Sequence, residues 1–174
     1  MAINQSNYIS WKGYFDMISS VDLYILYDDV QYTKRDWRNR NKIKTANGLK
    51  WLTIPVNVKG RYFQKIKDTT ISDKSWRTKH LNSIRESYRK SKYFEEVFPL
   101  VEDLYATANY ENISNINLHF ITGICRYLNI DTKIVFSSDF NLTEDKKTDR
   151  LIDICVQAGA TEYISGPLAK DYIE

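Results

Sequence analysis

Residues 21–29 read VDLYILYDD, and this segment indicates the fold class of the chain most clearly. Apolar side chains occupy both alternating faces from Val21 to Tyr27, because neighbours along an extended strand point to opposite sides. A strand that is apolar on both faces is typical of a parallel sheet with helices packed on either side. The run then ends in two carboxylates, Asp28 and Asp29. The stretch therefore predicts a central parallel strand that carries polar groups at its C-terminal end.

The flanking segments alternate between strand and helix patterns on both sides of this strand. A short strand over residues 2–9 breaks at Gln5, and apolar residues at helical spacing predict a helix over 11–20. The later predicted elements are helices over 74–88, 94–108 and 112–128, a strand over 133–136, a helix over 149–158, a strand over 163–164 and a helix from 168. This order predicts an α/β fold, Rossmann-like, with a mostly parallel sheet and a helical insertion in the middle.

The composition favours one globular domain over residues 1–174. A hydrophobic fraction of 43% excludes a disordered chain, and the length suits a single core. The N-terminus lacks a signal-peptide pattern, and no apolar stretch approaches the roughly 20 residues that span a bilayer. Cys125 and Cys155 lie in apolar helical patterns, which predicts reduced core cysteines. We therefore expect a cytoplasmic protein without membrane insertion.

The basic segment, defined as residues 34–50, concentrates positive charge. It holds seven basic residues and one acidic residue, a net charge of +6 in a chain whose total is +3. Arginine binds phosphate through paired hydrogen bonds and a tryptophan face stacks on planar groups, so Trp37 among arginines predicts a phosphate or nucleotide site. A solvated basic hairpin is the alternative, since the Asn47-Gly48 turn signal precedes a strand pattern over 50–56. The nearly neutral whole chain argues against nucleic acid as a partner.

Polar residues follow four of the predicted strands, at 5–8, 28–31, 137–138 and 165–166. Ligands of open α/β sheets bind beyond the carboxyl ends of the strands, which predicts one shared binding surface there. Ordinary polar loops are the alternative. The carboxylates at 28–29 suit a general base or a partner for an amine, and a salt bridge to the basic segment is the competing interpretation.

Two further features have both a functional and a simple structural interpretation. Residues 147–150 open a helix whose backbone amides and Lys147 can attract an anion, although plain helix capping explains the same pattern. His80 lies on a helix whose polar face is expected to reach the strand ends, whereas His119 fits a packed core position. Neither histidine has the spacing of a zinc site or a catalytic triad, and no glycine-rich phosphate loop is present.

Several motifs together resemble the WbqC-like protein family. The specific blocks are residues 5–15, 28–32 with Lys34, and 37–41, and weaker matches occur at 51–56, 59–60, 79–80, 147–151 and 163–166. The opening of this family usually reads His-Gln-Pro-x-Tyr-Leu-Pro-Trp, where this chain has Asn4, Ser6 and Ser10. A catalytic histidine is therefore not expected at that point. Family members usually continue beyond the Ser-Gly block, so we expect this chain to be truncated at the C-terminus relative to them.

The resemblance implies an enzyme of surface polysaccharide (O-antigen, lipopolysaccharide) biosynthesis. The implied reaction is transfer of an acyl or aminoacyl group to a nucleotide-activated amino sugar. The alternatives are a nucleotidylyltransferase-like enzyme, by fold analogy alone, and a non-catalytic nucleotide-sugar-binding or scaffolding protein of the same pathway.

The expected site residues fall into two groups. The catalytic candidates are Asp28, Asp29 and His80. The expected ligands of a nucleotide sugar or another phosphorylated small molecule are Gln5, Asn7, Tyr8, Trp11, Gln31, Lys34, Trp37, Arg38, Arg40, Lys44, Ser138, Lys147, Arg150, Ser165 and Gly166. The sequence indicates no metal site and identifies neither a cofactor nor an oligomeric state.

Overall fold

A computed structural model describes residues 1–142 and 147–166 of the chain. The fold is mixed α/β. The elements in chain order are β1 (Ala2–Asn4), α1 (Lys12–Ser19), β2 (Leu23–Leu26), β3 (Arg40–Thr45), β4 (Gly48–Thr53), α2 (Trp76–Tyr88), α3 (Phe94–Thr107), α4 (Ile113–Tyr127), β5 (Lys133–Phe136) and α5 (Lys147–Gln157). A single 3₁₀ turn over Ser137–Asp139 follows β5 directly.

The parallel sheet has the order β1-β2-β5, with β2 in the centre. Ala2 pairs with Tyr24, and Tyr24 pairs in turn with Ile134. Ile164 forms an isolated parallel bridge to Ala2, on the other side of β1. The prediction of a central parallel strand within residues 21–27 is therefore confirmed.

Helices cover both faces of this sheet, as the apolar pattern of β2 predicts. On one face Tyr24 and Leu26 pack with α1 and with Ile121 and Cys125 of α4. On the other face Ile25 packs against Ile154 of α5. Burial of each such side chain stabilises the fold by about 1.5–3 kcal/mol, so this strand fixes the arrangement of α1, α4 and α5.

The middle of the chain differs from the predicted helical insertion, which is not confirmed. The helices α2, α3 and α4 do lie between β4 and β5 along the chain, but α4 packs directly on the parallel sheet. The same helix also contributes Ile116 and Phe120 to a second core around Trp76. The Rossmann-like topology stays a prediction, because three paired strands and one bridge are a small basis for it.

Part of the basic segment forms a hairpin, which was the alternative interpretation of this segment, and the second strand of the hairpin continues to Thr53. Its strands β3 and β4 pair antiparallel as a sheet of their own. The two loop residues are Ala46 and Asn47, one position earlier than the expected Asn47-Gly48 turn. Gly48 begins β4 with φ of +100°, a backbone conformation that glycine adopts without a steric penalty.

No helix within residues 1–142 and 147–166 has both the length and the apolar character needed to cross a membrane.

Candidate functional site

The C-terminal ends of the parallel strands bring polar side chains together, as expected. Ser6 follows β1, Asp28 follows β2, and Ser114 approaches from the first turn of α4. Asp28 is only 2% exposed and accepts hydrogen bonds from the Ser6 amide at 2.9 Å, the Ser6 hydroxyl at 2.7 Å and the Ser114 hydroxyl. Through these three hydrogen bonds the buried Asp28 carboxylate links the end of β2 to the end of β1 and to the first turn of α4.

A buried polar network extends from Ser6 into the basic segment. The Asn117 amide donates to the Ser6 hydroxyl at 2.8 Å and to the Arg38 carbonyl at 2.9 Å. The Arg38 guanidinium donates to the Ser6 carbonyl at 3.2 Å and to the Asn7 side chain, and lies 3.7 Å from Asp36. Burial lowers the pKa of Arg38, and the charge of Asp36 opposes that shift. The contacts of Arg38 with Ser6 and Asn7 therefore hold the loop that follows β1 in place.

The chain beyond β2 pairs with the segment over residues 64–67. The Ile66 amide donates to the Val30 carbonyl at 3.0 Å, and Gln31 forms an antiparallel bridge with Lys65. Side chains alternate along such a ribbon, so Val30 faces the core while Asp29, Gln31, Lys65 and Lys67 share the outer side. We call these four outer residues the ribbon strip.

Asp29 is the charged centre of the ribbon strip. Its Oδ1 lies 2.6 Å from the Lys67 ammonium and 3.6 Å from that of Lys65, and its Oδ2 accepts from the Ser137 hydroxyl at 2.8 Å. Burial alone raises the pKa of Asp29. The hydrogen bonds from Lys67 and Ser137 and the charges of the two lysines outweigh that effect and lower it. Asp29 is therefore an anion at neutral pH and a weak proton acceptor.

A cavity of about 120 Å³ opens beside the two aspartates. Lys67, Asn112, Asn115, Ser138 and the aspartates are among its lining residues. Ligand pockets usually measure about 300–1,000 Å³, and a water molecule occupies about 30 Å³, so this space suits one polar group rather than a whole nucleotide sugar. Among residues 1–142 and 147–166, no three His, Cys, Asp or Glu side chains gather in a way that could hold a metal ion.

A larger hollow, which we call the basic groove, lies at the far end of the ribbon. It measures about 390 Å³, and Gln31, Lys34, Arg61 and Tyr62 contribute to its lining. A neighbouring hollow of about 220 Å³ shares Lys34 and adds Arg35 and Arg40. The size and the positive charge of the basic groove match a phosphorylated small molecule better than the aspartate cavity does.

His80 contacts the strand-end stretch at residues 5–8 through Tyr8, but it lies in a buried cluster and not at the open surface where it was expected. It is 6% exposed, and its Nδ1 lies 2.9 Å from the Tyr8 hydroxyl, which also bonds to Tyr105. Its ring packs against Trp76. Burial lowers the pKa of His80 to about 4, so the imidazole is neutral at pH 7. Because the Tyr8 side chain has no exposed surface, we infer that it supports this cluster rather than contacts a substrate.

The remaining predicted ligands are distributed over different surfaces. Trp11 is 67% exposed and lines a separate groove of about 840 Å³, whose charged lining residues Lys12 and Asp16 have opposite signs. Trp37 is also exposed and lies beside Trp51, with ring centroids 5.6 Å apart. The two predicted ligands Trp11 and Trp37 therefore lie on different surfaces and do not share one pocket.

The other predicted ligands near the sheet edge and α5 are half-buried or take part in contacts within the fold. Gln5 is half-buried, and its carbonyl accepts from the Tyr14 hydroxyl at 3.1 Å. Arg150 hydrogen-bonds to Tyr27 and counteracts the effect of burial, which raises the pKa of that tyrosine. Ser165 and Gly166 follow the Ile164 bridge and are half-buried. Lys147 opens α5, and its side chain lies outside the part of the chain that the structure describes.

The sequence alone did not identify several residues that build these sites. They are Arg61, Lys65, Lys67, Ser114 and Asn117. Ser6 and Ser137 lie in the predicted strand-end stretches but were not among the expected ligands. One signal was available: the alternation Lys65-Ile66-Lys67 places both lysines on the face opposite a buried isoleucine. Ser114 and Asn117 are 86 and 111 residues from their partners Asp28 and Ser6, and no local pattern reveals such contacts.

Fold and site together define an α/β protein with a polar cluster at its strand ends and a basic groove beside it. Residues 5–174 match the family model of the WbqC-like protein family, so the chain belongs to that family. It is similar to the uncharacterized protein Rv1507c of Mycobacterium tuberculosis (strain ATCC 25618 / H37Rv). The two are 48% identical over 174 residues, which is 100% of this chain and 75% of that protein. No solved structure matches the chain.

Proposed function

We propose that the protein binds a nucleotide-activated amino sugar of surface polysaccharide (O-antigen) biosynthesis in the basic groove. The observation that carries this proposal is the groove of about 390 Å³ with Lys34 and Arg61 in its lining. A diphosphate needs cations that form charge-assisted hydrogen bonds, and a hollow of this size can enclose a small ligand. Membership in the WbqC-like family supports the choice of pathway.

The ribbon strip leads from the basic groove to Asp29, and the sugar part of the ligand would lie along it. Gln31 lines the basic groove, and Asp29 lies two residues earlier on the same side of the ribbon, about 7 Å away. A sugar joined to a diphosphate at the groove would extend along this side. Asp29, Ser138 and Gln31 then offer a carboxylate, a hydroxyl and an amide to the amine and hydroxyl groups of the sugar.

The proposed reaction is transfer of an acyl or aminoacyl group to the sugar amine. The amine lone pair attacks the acyl carbonyl carbon, the bond to the donor's leaving group breaks, and the amine proton passes to that leaving group. Asp29 orients the amine through a hydrogen bond. Its lowered pKa makes it unsuitable as the final proton acceptor.

Non-catalytic binding of the same ligand is the second candidate, and a specific observation favours it. Asp28 accepts three hydrogen bonds, Asp29 is bound by Lys67 and Ser137, and His80 is buried with its Nδ1 on Tyr8, so all three predicted catalytic groups have partners within the fold. Under this alternative the protein presents the nucleotide sugar to another enzyme.

Calorimetric titration with uridine diphosphate N-acetylglucosamine and with uridine diphosphate tests the binding. Lys34→Gln and Arg61→Gln should each weaken binding of both ligands about 10–100-fold, because each removes a charge-assisted contact of about 1.5–3 kcal/mol. Lys59→Gln is the matched control, an exposed lysine near the groove in sequence. Equal affinities for the wild type and both groove variants would contradict the proposal.

A second experiment separates the two candidates. The protein is incubated with a uridine diphosphate amino sugar and acyl-coenzyme A donors, and the sugar product is followed by mass spectrometry. Turnover that Asp29→Asn abolishes supports the transferase. Tight binding without turnover supports the non-catalytic candidate.

A further inference from the structure

The β3–β4 hairpin presents two chemically different faces. Ile43 and Leu52 lie on the inner face and pack into the core around Trp76. Because side chains alternate along each strand, the opposite face carries the intervening residues of both strands. We call it the hairpin outer face, and its members are Arg40, Lys42, Lys44, Leu49, Trp51 and Thr53.

The hairpin outer face combines a row of cations with a row of apolar groups. Lys42 pairs across the strands with Trp51, and Lys44 pairs with Leu49. Leu49 is 70% exposed and Trp51 is 39% exposed, and Trp37, 46% exposed, lies against Trp51. None of the six members is acidic, although the chain outside the basic segment carries a net charge of −3.

Two hydrogen bonds hold the hairpin against α2. The Lys44 amide donates to the Tyr88 hydroxyl at 3.1 Å, and the Lys50 ammonium donates to the Ser83 hydroxyl at 2.9 Å. Both contacts join the hairpin to α2. Leu49 and Trp51 therefore have a fixed place on the surface, where Trp51 has the exposed Trp37 as its neighbour.

We propose that the hairpin outer face binds the surface of a membrane that contains anionic lipids. Cations next to exposed tryptophan and leucine are the combination that binds at a lipid interface: the cations attract the head groups, and the apolar side chains enter the boundary of the acyl chains. Tryptophan in particular favours that boundary. This attachment is peripheral, and it does not depend on what the basic groove binds.

The geometry disfavours single-stranded nucleic acid as the partner. Binding of that kind uses aromatic faces on which bases stack. The Arg40 guanidinium lies 4.0 Å from the centre of the Trp51 ring and the Lys42 ammonium 4.6 Å, so two cations already occupy this aromatic surface. Trp37 and Trp51 are also tilted by 43° to each other, which leaves no parallel platform.

Sedimentation with vesicles tests the proposal on the full chain. The vesicles contain phosphatidylcholine alone or phosphatidylcholine mixed with phosphatidylglycerol, and binding is expected only to the mixture. Each cation near an anionic surface contributes about fivefold, so Lys42→Gln with Lys44→Gln should weaken partitioning about 30-fold. Lys12→Gln with Lys133→Gln is the matched control; it removes the same charge from exposed positions off the hairpin and should bind like the wild type.

Leu49→Ser separates apolar insertion from charge attraction, because it should weaken binding without changing the net charge. The melting temperatures of all variants are measured first, since these exposed substitutions should leave the fold intact. Absent binding to the mixed vesicles, or equal loss in the hairpin and control double variants, overturns the proposal. Binding of a single-stranded oligonucleotide that the hairpin variants abolish, without vesicle binding, also overturns it.

Discussion

Replacement of Asp28 by asparagine separates a structural role of this residue from a catalytic one. The carboxylate accepts from the Ser6 amide, the Ser6 hydroxyl and the Ser114 hydroxyl, and it is 2% exposed. An asparagine offers one oxygen, so its amide group must face either the Ser6 amide or the two hydroxyls. One unsatisfied buried donor costs about 1–3 kcal/mol, and the remaining bonds lose their charge assistance. We expect Asp28→Asn to lower the free energy of unfolding by about 3–4 kcal/mol.

Ser114→Ala removes one donor and should lower the free energy of unfolding by about 1–2 kcal/mol. The double variant should lose about 1–2 kcal/mol less unfolding free energy than the sum of the two single variants, because both substitutions remove the same hydrogen bond. Urea unfolding at pH 7, followed by circular dichroism, measures all four proteins. Asp131→Asn, at an exposed position, is the control and should change stability by no more than about 0.5 kcal/mol. An Asp28→Asn protein of unchanged stability that has lost ligand binding would refute the structural role.

Three further predictions concern other parts of the molecule. Since burial lowers the pKa of His80 to about 4 from an unfolded value of about 6.5, stability is fully present above pH 6.5 and declines by about 3 kcal/mol towards pH 4; urea unfolding of His80→Gln should lack this decline. Lys67→Gln should move the pKa of Asp29 upward, as carboxyl NMR titration measures, and an unmoved pKa would show that Lys67 does not lower it. Because the stability from the lowered Asp29 pKa is present above its unfolded value and is lost as pH falls through the folded one, Lys67→Gln should also reduce the acid sensitivity of unfolding. A methyl group at Gly13 would lie 2.2 Å from the Trp11 ring, so Gly13→Ala should displace that exposed ring and change its fluorescence, with a stability change within about 1 kcal/mol; unaltered fluorescence would contradict this contact.

The sequence predicted the parallel core well because its signals are local. The apolar run before Asp28 favours a strand covered on both sides, and Asn47-Gly48 marked the hairpin turn to within one residue. The positions of the strand-end residues follow from the direction of parallel strands. These features need no knowledge of distant partners.

The parts that sequence reasoning misjudged depend on distant partners. His80 lies on a largely polar helix, yet Tyr8 and Tyr105 from other elements enclose it. Ile9 adopts φ of +44°, which a β-branched residue rarely does, and the amide of Asn41 holds its carbonyl from 32 residues away. Contacts of this kind decide whether a polar residue faces solvent or supports the fold, and one sequence does not contain that information.

The basic groove extends the original interpretation of the basic segment. Lys34 of the basic segment lines it, but Arg61 and Tyr62 come from the loop that follows β4. Lys44 instead belongs to the hairpin outer face, and Arg40 lies on that face while it also lines the hollow next to the basic groove. The excess of positive charge therefore divides between two surfaces, one concave and one exposed, and each has its own proposed ligand.

A thermal-shift titration with uridine diphosphate N-acetylglucosamine is the sharpest test of whether the basic groove binds a diphosphate-linked sugar. At a ligand concentration about 100 times the dissociation constant, a folded-state ligand adds about 2.7 kcal/mol of stability. For a chain of this size that raises the melting temperature by about 5–10 °C. We expect this rise for the wild type and for Lys59→Gln, and a much smaller rise for the double variant Lys34→Gln with Arg61→Gln at the same concentration. Equal shifts in all three proteins, or none in the wild type, would contradict this expectation.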